Sequence, residues 1–140
     1  MRQKYRFFDD IAIADAAFEA YGKDLPELFT NAALATFSVM ADLKKVAPNI
    51  KKQIRLTNPK TEGLLFDFIQ ELIYLKDAEY MLFSKFTVRI AQDKLTAIAF
   101  GEHIHPEKHQ LLTDVKAMTL HLYIVQQTKT GWKAFIILDT

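Results

Sequence analysis

After Tyr80 the hydrophobic period of this chain switches from helical to alternating, and that switch restricts its fold more than any other feature. Before it, Asp24-Leu25-Pro26-Glu27 marks a helix start: a capping acid, an early proline, and a glutamate three residues past the cap. Behind it Phe29, Ala33, Phe37 and Met40 fall on one helical face. A second helix is predicted from near Thr61, with Leu65, Phe68, Ile69, Leu72 and Ile73 as its apolar stripe. Residues 46–59 are too polar and proline-broken for helix, although Ile54 and Leu56 suit a short strand. Beyond Tyr80, in FSKFTVRI, Phe86, Val88 and Ile90 point one way while Lys85, Thr87 and Arg89 point the other. LTAIAFGE, VKAMTLHLYIVQQ and KAFIILDT read as further strands, with a hairpin turn at residues 128–131 between the last two. Two amphipathic helices and about six strands, mostly hairpin-linked, predict an α+β fold in which two helices pack on a mainly antiparallel sheet.

Composition removes several classes of function. The chain has 140 residues, 50% hydrophobic and 25% charged, with no repeat, low-complexity tract or Gly/Ser linker, so residues 1–140 read as a single domain. Its net charge of +1 directs it to neither nucleic acid nor an anionic membrane. The absence of cysteine excludes disulfide frameworks, thiolate metal sites and thiol catalysis. MRQKYRFFDD turns acidic before any apolar core of a signal peptide develops, and no apolar run approaches the roughly 18 residues that span a bilayer. The expectation is a soluble, cytoplasmic protein with no membrane partner.

Residues 11–22, IAIADAAFEAYG, fit two local structures. Alanine-rich, preceded by Asp9 and Asp10 and closed by Gly22, they suit a helix. As a strand they place Ile11, Ile13, Asp15 and Ala17 on one face. Propensity leaves both open. Strand parity singles out two further charges on apolar series: Lys116 with Met118, Leu120, Leu122 and Ile124, and Asp139 with Phe135 and Ile137. A lone buried charge is costly enough that such groups are normally paired or bound to metal. Asp139 also adjoins the terminal carboxylate of Thr140, and with Asp15 these make three negative charges. One divalent ion plus Lys116 would balance them, and all-oxygen ligands favour a hard ion such as calcium or magnesium over zinc. The plainer alternative is that acids at strand ends face water, chain ends fray, and a lysine opening a strand extends into solvent.

The blocks AYGKDLPELFTNAALATFSVMADL, LLFDFIQELIYLKDAEYMLFSKFTVRI, GEHIHPEKH, DVKAMTLH and GWKAFIILDT, in this order and spacing, resemble the archease family from Tyr5 to the last residue. The resemblance implies an α+β sandwich of two helices on a mainly antiparallel sheet, and strand rather than helix for residues 11–22. It implies no enzymatic activity of the chain's own. The family partners the RNA-splicing ligase that joins tRNA halves, promotes guanylylation of the ligase's active-site histidine and sustains its turnover; RNA is met only indirectly, through the ligase. The family's N-terminal acid matches Ala14-Asp15, its Val-Lys-Ala lysine matches Lys116, its C-terminal Leu-Asp acid matches Asp139, and its chain-terminal group matches Thr140. A divalent cation, calcium with magnesium or manganese as alternatives, is thereby implied at Asp15, Asp139 and Thr140, with Lys116 as a partner or nucleotide contact. Two departures stand out. The family's Asp-His-Thr-Ala-Asp run is here Asp9-Asp10-Ile11-Ala12-Ile13-Ala14-Asp15, so its His and Thr are missing and Asp9 or Asp10 would have to compensate. In the family's Asp-Pro-Glu-Lys-His loop, His105 replaces the acid.

That replacement creates a competing constellation. His103, His105 and His109 stand at H-x-H-x3-H spacing, and on a strand the first two would share a face. With His109 or Glu102 completing the set they could chelate a transition metal for hydrolysis, which makes a small metal-dependent hydrolase the rival function. The plainer alternative is a proline-interrupted surface turn with solvated histidines, and the family shares only His109. His121, opposite in parity to Lys116, is expected to pack in the sheet. Lys44, Lys45, Lys51, Lys52 and Arg55 concentrate positive charge between the helices, where a solvated loop is preferred over a contact with RNA phosphates or an acidic patch of the ligase; the loop has no aromatic stacking partner for single-stranded RNA. A chaperone-like module for RNA-modifying enzymes is the third function considered.

Overall fold

Asp24 caps the first helix as its spacing predicts. Its carboxylate accepts the backbone N–H of Glu27 at 2.9 Å, and Glu27 reaches back to accept the N–H of Lys23 at 2.9 Å. The helix, α1 (Leu25–Met40), buries Phe29, Ala33, Phe37 and Met40. The second, α2 (Thr61–Glu79), buries Leu65, Phe68, Ile69, Leu72 and Ile73, and Tyr80 ends it in the left-handed conformation. The structure, a computed structural model, describes residues 3–9 and 16–140.

The strands are β1 (Tyr5–Phe8), β2 (Ala16–Gly22), β3 (Ile50–Thr57), β4 (Met81–Ala91), β5 (Lys94–His103), β6 (Ala117–Thr128) and β7 (Gly131–Asp139); a one-turn helix, α3 (Pro106–His109), follows β5. Residues 16–22 are therefore strand, the alternative that the resemblance favoured. Among the described residues the strands form two antiparallel sheets rather than one, in the orders β1-β2-β7-β6 and β3-β5-β4. Both helices touch both sheets, α1 mainly through β2 and β4 and α2 through β6, β3 and β4. Phe37 meets Phe83 edge-on at 5.4 Å and Phe29 stacks on Phe68 at 6.0 Å, so phenylalanines from helix and strand fill the space between layers. The fold is α+β, as the alternation of periods predicts. Parity could not give the partition into two sheets, because a strand's pattern shows which face is buried and not which strand lies beside it.

Strand β6 does not keep one parity along its length. In the β6–β7 ladder Thr119 opposes Ile137 and Ile124 opposes Phe135, so residues 120–123 face Ile136 alone. Three extra residues are an odd number, and the bulge therefore turns the strand over, with Leu122 at φ +57. Met118 points inward before it, whereas Tyr123 and Val125 are the half-buried positions after it. Leu120, Leu122 and Ile124 are consequently exposed and form no buried series with Lys116. His121 is exposed as well, not packed. At the other end of this hairpin Gly131 has φ +154, and a Cβ there would strike the Gly22 carbonyl of the neighbouring turn.

The segment leading into β6 is tied down by a buried cation. Lys76 on α2 is only 4% exposed, and its Nζ donates to Asp114 Oδ1 at 2.5 Å and to the Val115 carbonyl at 2.8 Å, with Asp77 Oδ1 at 2.7 Å. The N–H groups of Leu112 and Thr113 donate to the Met40 and Val39 carbonyls at the end of α1, and that of Met118 to Gln70 Oε1. Lys116 thus emerges from a stretch fixed on both sides. Lys76→Met keeps the apolar stem but strands the buried Val115 carbonyl and releases Asp114 to water. It should lower stability by about 1–3 kcal/mol in urea unfolding and speed hydrogen exchange across residues 112–118.

Candidate metal and partner site

Strand β7 runs between β2 and β6, and its last residues gather distant parts of the chain. Leu138 lies between Ala16 on β2 and Met118 on β6, and Asp139 opposes Ala117. The backbone N–H of Lys116 donates to the Asp139 carbonyl at 2.8 Å, extending the ladder by one bond. Lys116 and Asp139 are both exposed and Thr140 is half-buried. Asp15 and Asp10 lie outside the described residues; the first described residue after them, Ala16, sits one register position from Asp139. Asp9 is exposed. The described residues therefore bring Lys116, Asp139 and Thr140 to one end of the four-stranded sheet, close to where β2 begins.

Among the described residues this end offers one side-chain carboxylate, that of Asp139, so a cation held here would need further oxygen ligands from outside them. Asp139 offers a carboxylate in water with no cationic side chain paired to it among the described residues, and Lys116 likewise has no acidic partner among them. Oxygen donors without nitrogen or sulfur select calcium, magnesium or manganese over softer metals.

The histidine loop does not form the competing metal site. Strand β5 ends at His103, and His105 belongs to the start of α3, so the two do not share a strand face. His109 is fully buried with both ring nitrogens engaged: Nδ1 accepts the His105 backbone N–H at 2.9 Å, which places the ring proton on Nε2, 2.9 Å from Glu102 Oε2. No lone pair is left for a metal. Glu102 is committed too, accepting from Lys108 Nζ and from the Ala47 N–H at 2.8 Å. His103 is exposed, its Nδ1 3.1 Å from the Glu79 carbonyl. Among the described residues, no group of three or more His, Asp or Glu side chains is placed to hold a metal ion. The H-x-H-x3-H spacing reflects instead a clasp that joins β5, α3 and the Ala47 turn.

The basic residues do not make a loop either. Lys44 and Lys45 lie in a single turn at Leu43–Lys45, where Lys45 Nζ donates to Gln110 Oε1, but Lys51, Lys52 and Arg55 lie on β3. Lys52 turns inward to pair with Glu79 of α2, while Lys51 and Arg55 face out. Sequence spacing missed this separation because the strand begins at Ile50, earlier than the apolar pair Ile54 and Leu56 announces.

The clasp has a pH signature. The hydrogen bond from His109, then those from Lys108 and the Ala47 N–H, lower the Glu102 pKa from 4.5 to about 2. A depressed acid stabilises the fold above its unfolded pKa and loses that contribution as pH falls through the folded one. Glu102→Gln should therefore cost about 1–3 kcal/mol at pH 7, and its urea midpoint should converge on that of the parent as pH drops from about 4.5 towards 2.

Comparison with known proteins accords with this architecture. Residues 5–140 match the Archease protein family. "Protein archease" of Methanosarcina mazei is 37% identical over 98% of this chain and 96% of its own length. The solution structure of Methanobacterium thermoautotrophicum protein 1598 superposes with a TM-score of 0.85 at 41% identity, covering 98% of this chain and 99% of that one. The crystal structure of a Thermotoga maritima archease, described as a "possible chaperone", matches in fold with a TM-score of 0.67 at 19% identity over 92% of this chain and 93% of that one. The chain belongs to the archease family.

Proposed function

We propose that this chain is a non-enzymatic protein cofactor of an RNA-splicing ligase, promoting guanylylation of the ligase histidine and multiple turnover through the Lys116–Asp139 end of its larger sheet. The observation that carries the reading is the convergence of β7 with β2 and β6, which delivers an unpaired acid and an unpaired lysine to one exposed edge within the described residues. Asp15, Asp139 and Thr140 would hold the divalent ion, calcium or else magnesium or manganese, which when bound supplies positive charge for nucleotide phosphate. Lys116, whose backbone follows the Lys76-bound Asp114 and Val115, would meet the same phosphate or an acidic group of the ligase. Fixing the backbone on either side of Lys116 before the partner arrives lowers the ordering cost of that contact. No acid–base pair of the chain's own is required, since the reacting histidine belongs to the ligase.

A chaperone-like role is the second reading. Leu111, Leu112, Leu120, Leu122 and Ile124 are exposed large apolar residues, and three of them lie on the edge strand β6, whose outer backbone has no partner among the described residues. Suppression of light scattering by heated, unrelated clients, lost in Leu120→Ser/Leu122→Ser, would favour it over the ligase.

The deciding assay measures GMP transfer to the cognate ligase's histidine with and without this protein. Asp139→Asn, Asp15→Asn and Lys116→Ala are each expected to cut stimulation at least about tenfold with unchanged circular dichroism, because each removes a charge from a transition-state contact. Undiminished stimulation by all three would overturn the reading. Chelating divalent ions should lower the melting temperature of the parent and leave that of Asp139→Asn unmoved, by the linkage between binding and stability.

A further inference from the structure

The outer face of the three-stranded sheet carries five cations and no acid in its four cross-strand rows. The register β3-β5-β4 sets Lys51, Phe100 and Lys85 in one row, then Gln53, Ile98 and Thr87, then Arg55, Thr96 and Arg89, and lastly Thr57, Lys94 and Ala91. The alternating burial of all three strands places these residues outward, with Ile98 and Phe100 half-buried and Lys51, Arg55, Lys85, Arg89 and Lys94 exposed. The inward residues of the same strands, Ile54, Leu95, Ala97, Ala99, Phe86 and Val88, belong to the core. None of the five cations is in an ion pair with a described residue. Glu102 extends β5 on this side, but Lys108, His109 and the Ala47 N–H already occupy it. Lys51 and Lys85 stand over the Phe100 ring, at 5.9 and 5.0 Å from its centroid.

We infer that this face binds single-stranded RNA, with Phe100 stacking on a base while Lys51, Lys85, Arg55, Arg89 and Lys94 take the phosphates. Like charges gathered on one side repel one another, and a polyanion relieves that repulsion and releases its own counterions. Chemistry distinguishes a single strand from other anions. Adjacent strands lie about 4.8 Å apart, so Lys51 and Lys85 flank Phe100 at about that distance on either side, and two rows along a strand advance about 13 Å. An aromatic ring between cationic tracks is the arrangement that reads unstacked bases without regard to sequence. A base stacked on Phe100 gains more than the exposed lysine contacts it displaces, and the freed ammonium groups turn to phosphate. Duplex RNA hides its bases and offers the ring nothing, and an acidic peptide would use the cations but not the ring. Preference for RNA as the strand rests on the ligase-cofactor reading; the single-strand chemistry rests on this face alone, and it lies on a different sheet from Lys116 and Asp139.

The test uses the full chain without ligase, so its outcome is independent of guanylylation. Fluorescence anisotropy with a labelled 12-nucleotide uridine-rich RNA should show binding that weakens with salt. Lys85→Gln/Arg89→Gln removes two phosphate contacts and should make the slope of log K against log salt shallower by about 1.4. Phe100→Leu keeps an apolar half-buried side chain but no π-face, and should weaken binding at least about fivefold with the salt slope unchanged. Asp139→Asn should bind RNA as the parent does. No binding in low salt, tighter binding of duplex RNA, poly-glutamate or anionic vesicles than of the single strand, or parental affinity in Phe100→Leu would each overturn the inference.

Discussion

Strand β7 is the constraint on which the rest depends. It is an inner strand of the larger sheet, pairing with β2 over Ala16–Gly22 and with β6 across a bulge, and its residues Ala134, Ile136 and Leu138 are buried under the helices. With both edges hydrogen-bonded and one face in the core, its register cannot slip by one residue without exposing that whole face. The position of Asp139 follows directly, since it is the next residue after the buried Leu138. Lys116 is set by the same ladder through its N–H bond to Asp139, and independently by Lys76 through Asp114 and Val115. Two separate restraints thus fix the backbone at this lysine, while its side chain extends into water.

The parts legible in the sequence were those governed by local rules. The Asp24–Glu27 cap, both apolar stripes, the Lys85–Ile90 alternation and the 128–131 turn each depend on residues within a few positions of one another, and each is found where it was expected. What was not legible depended on pairing. Strand β1 is only four residues long, and its Tyr5 and Phe8 show no clean alternation; it exists because β2 offers it an edge. The bulge in β6 is silent in TLHLYI because Leu120, Leu122 and Ile124 alternate with Thr119, His121 and Tyr123 just as an unbroken strand would. Only the three surplus residues opposite Ile136 reveal that the face has turned over.

The histidine loop shows why ligand spacing is weak information without hydrogen bonds. His109 has the residue type and separation of a metal ligand, yet it is fully buried, accepts at Nδ1 and donates at Nε2. Burying a polar ring requires that both nitrogens be satisfied, and here the chain supplies both partners. Glu102 completes the set, and its lowered pKa is the expected companion of a carboxylate accepting bonds from an imidazole, an ammonium and an amide together. In the candidate site the reverse holds: Lys116 and Asp139 keep their charged ends in water with no described partner. Buried polar groups are satisfied within the chain, whereas these exposed ones are left to solvent.

The same distinction resolves what net charge conceals. A value of +1 suggests a surface without an electrostatic preference. That sum, however, averages over sheets that face different ways. Lys52, Lys76 and Lys108 are matched by Glu79, Asp77 with Asp114, and Glu102, and so contribute structure rather than field. Once these are set aside, the unpaired cations of β3, β4 and β5 stand together on one face, and Asp139 stands at the end of the other sheet. Potentials outside a protein follow the local arrangement of unpaired charge, which decays over about 10 Å in ordinary salt. A polyanion approaching the small sheet therefore meets a positive surface, although the chain as a whole is nearly neutral.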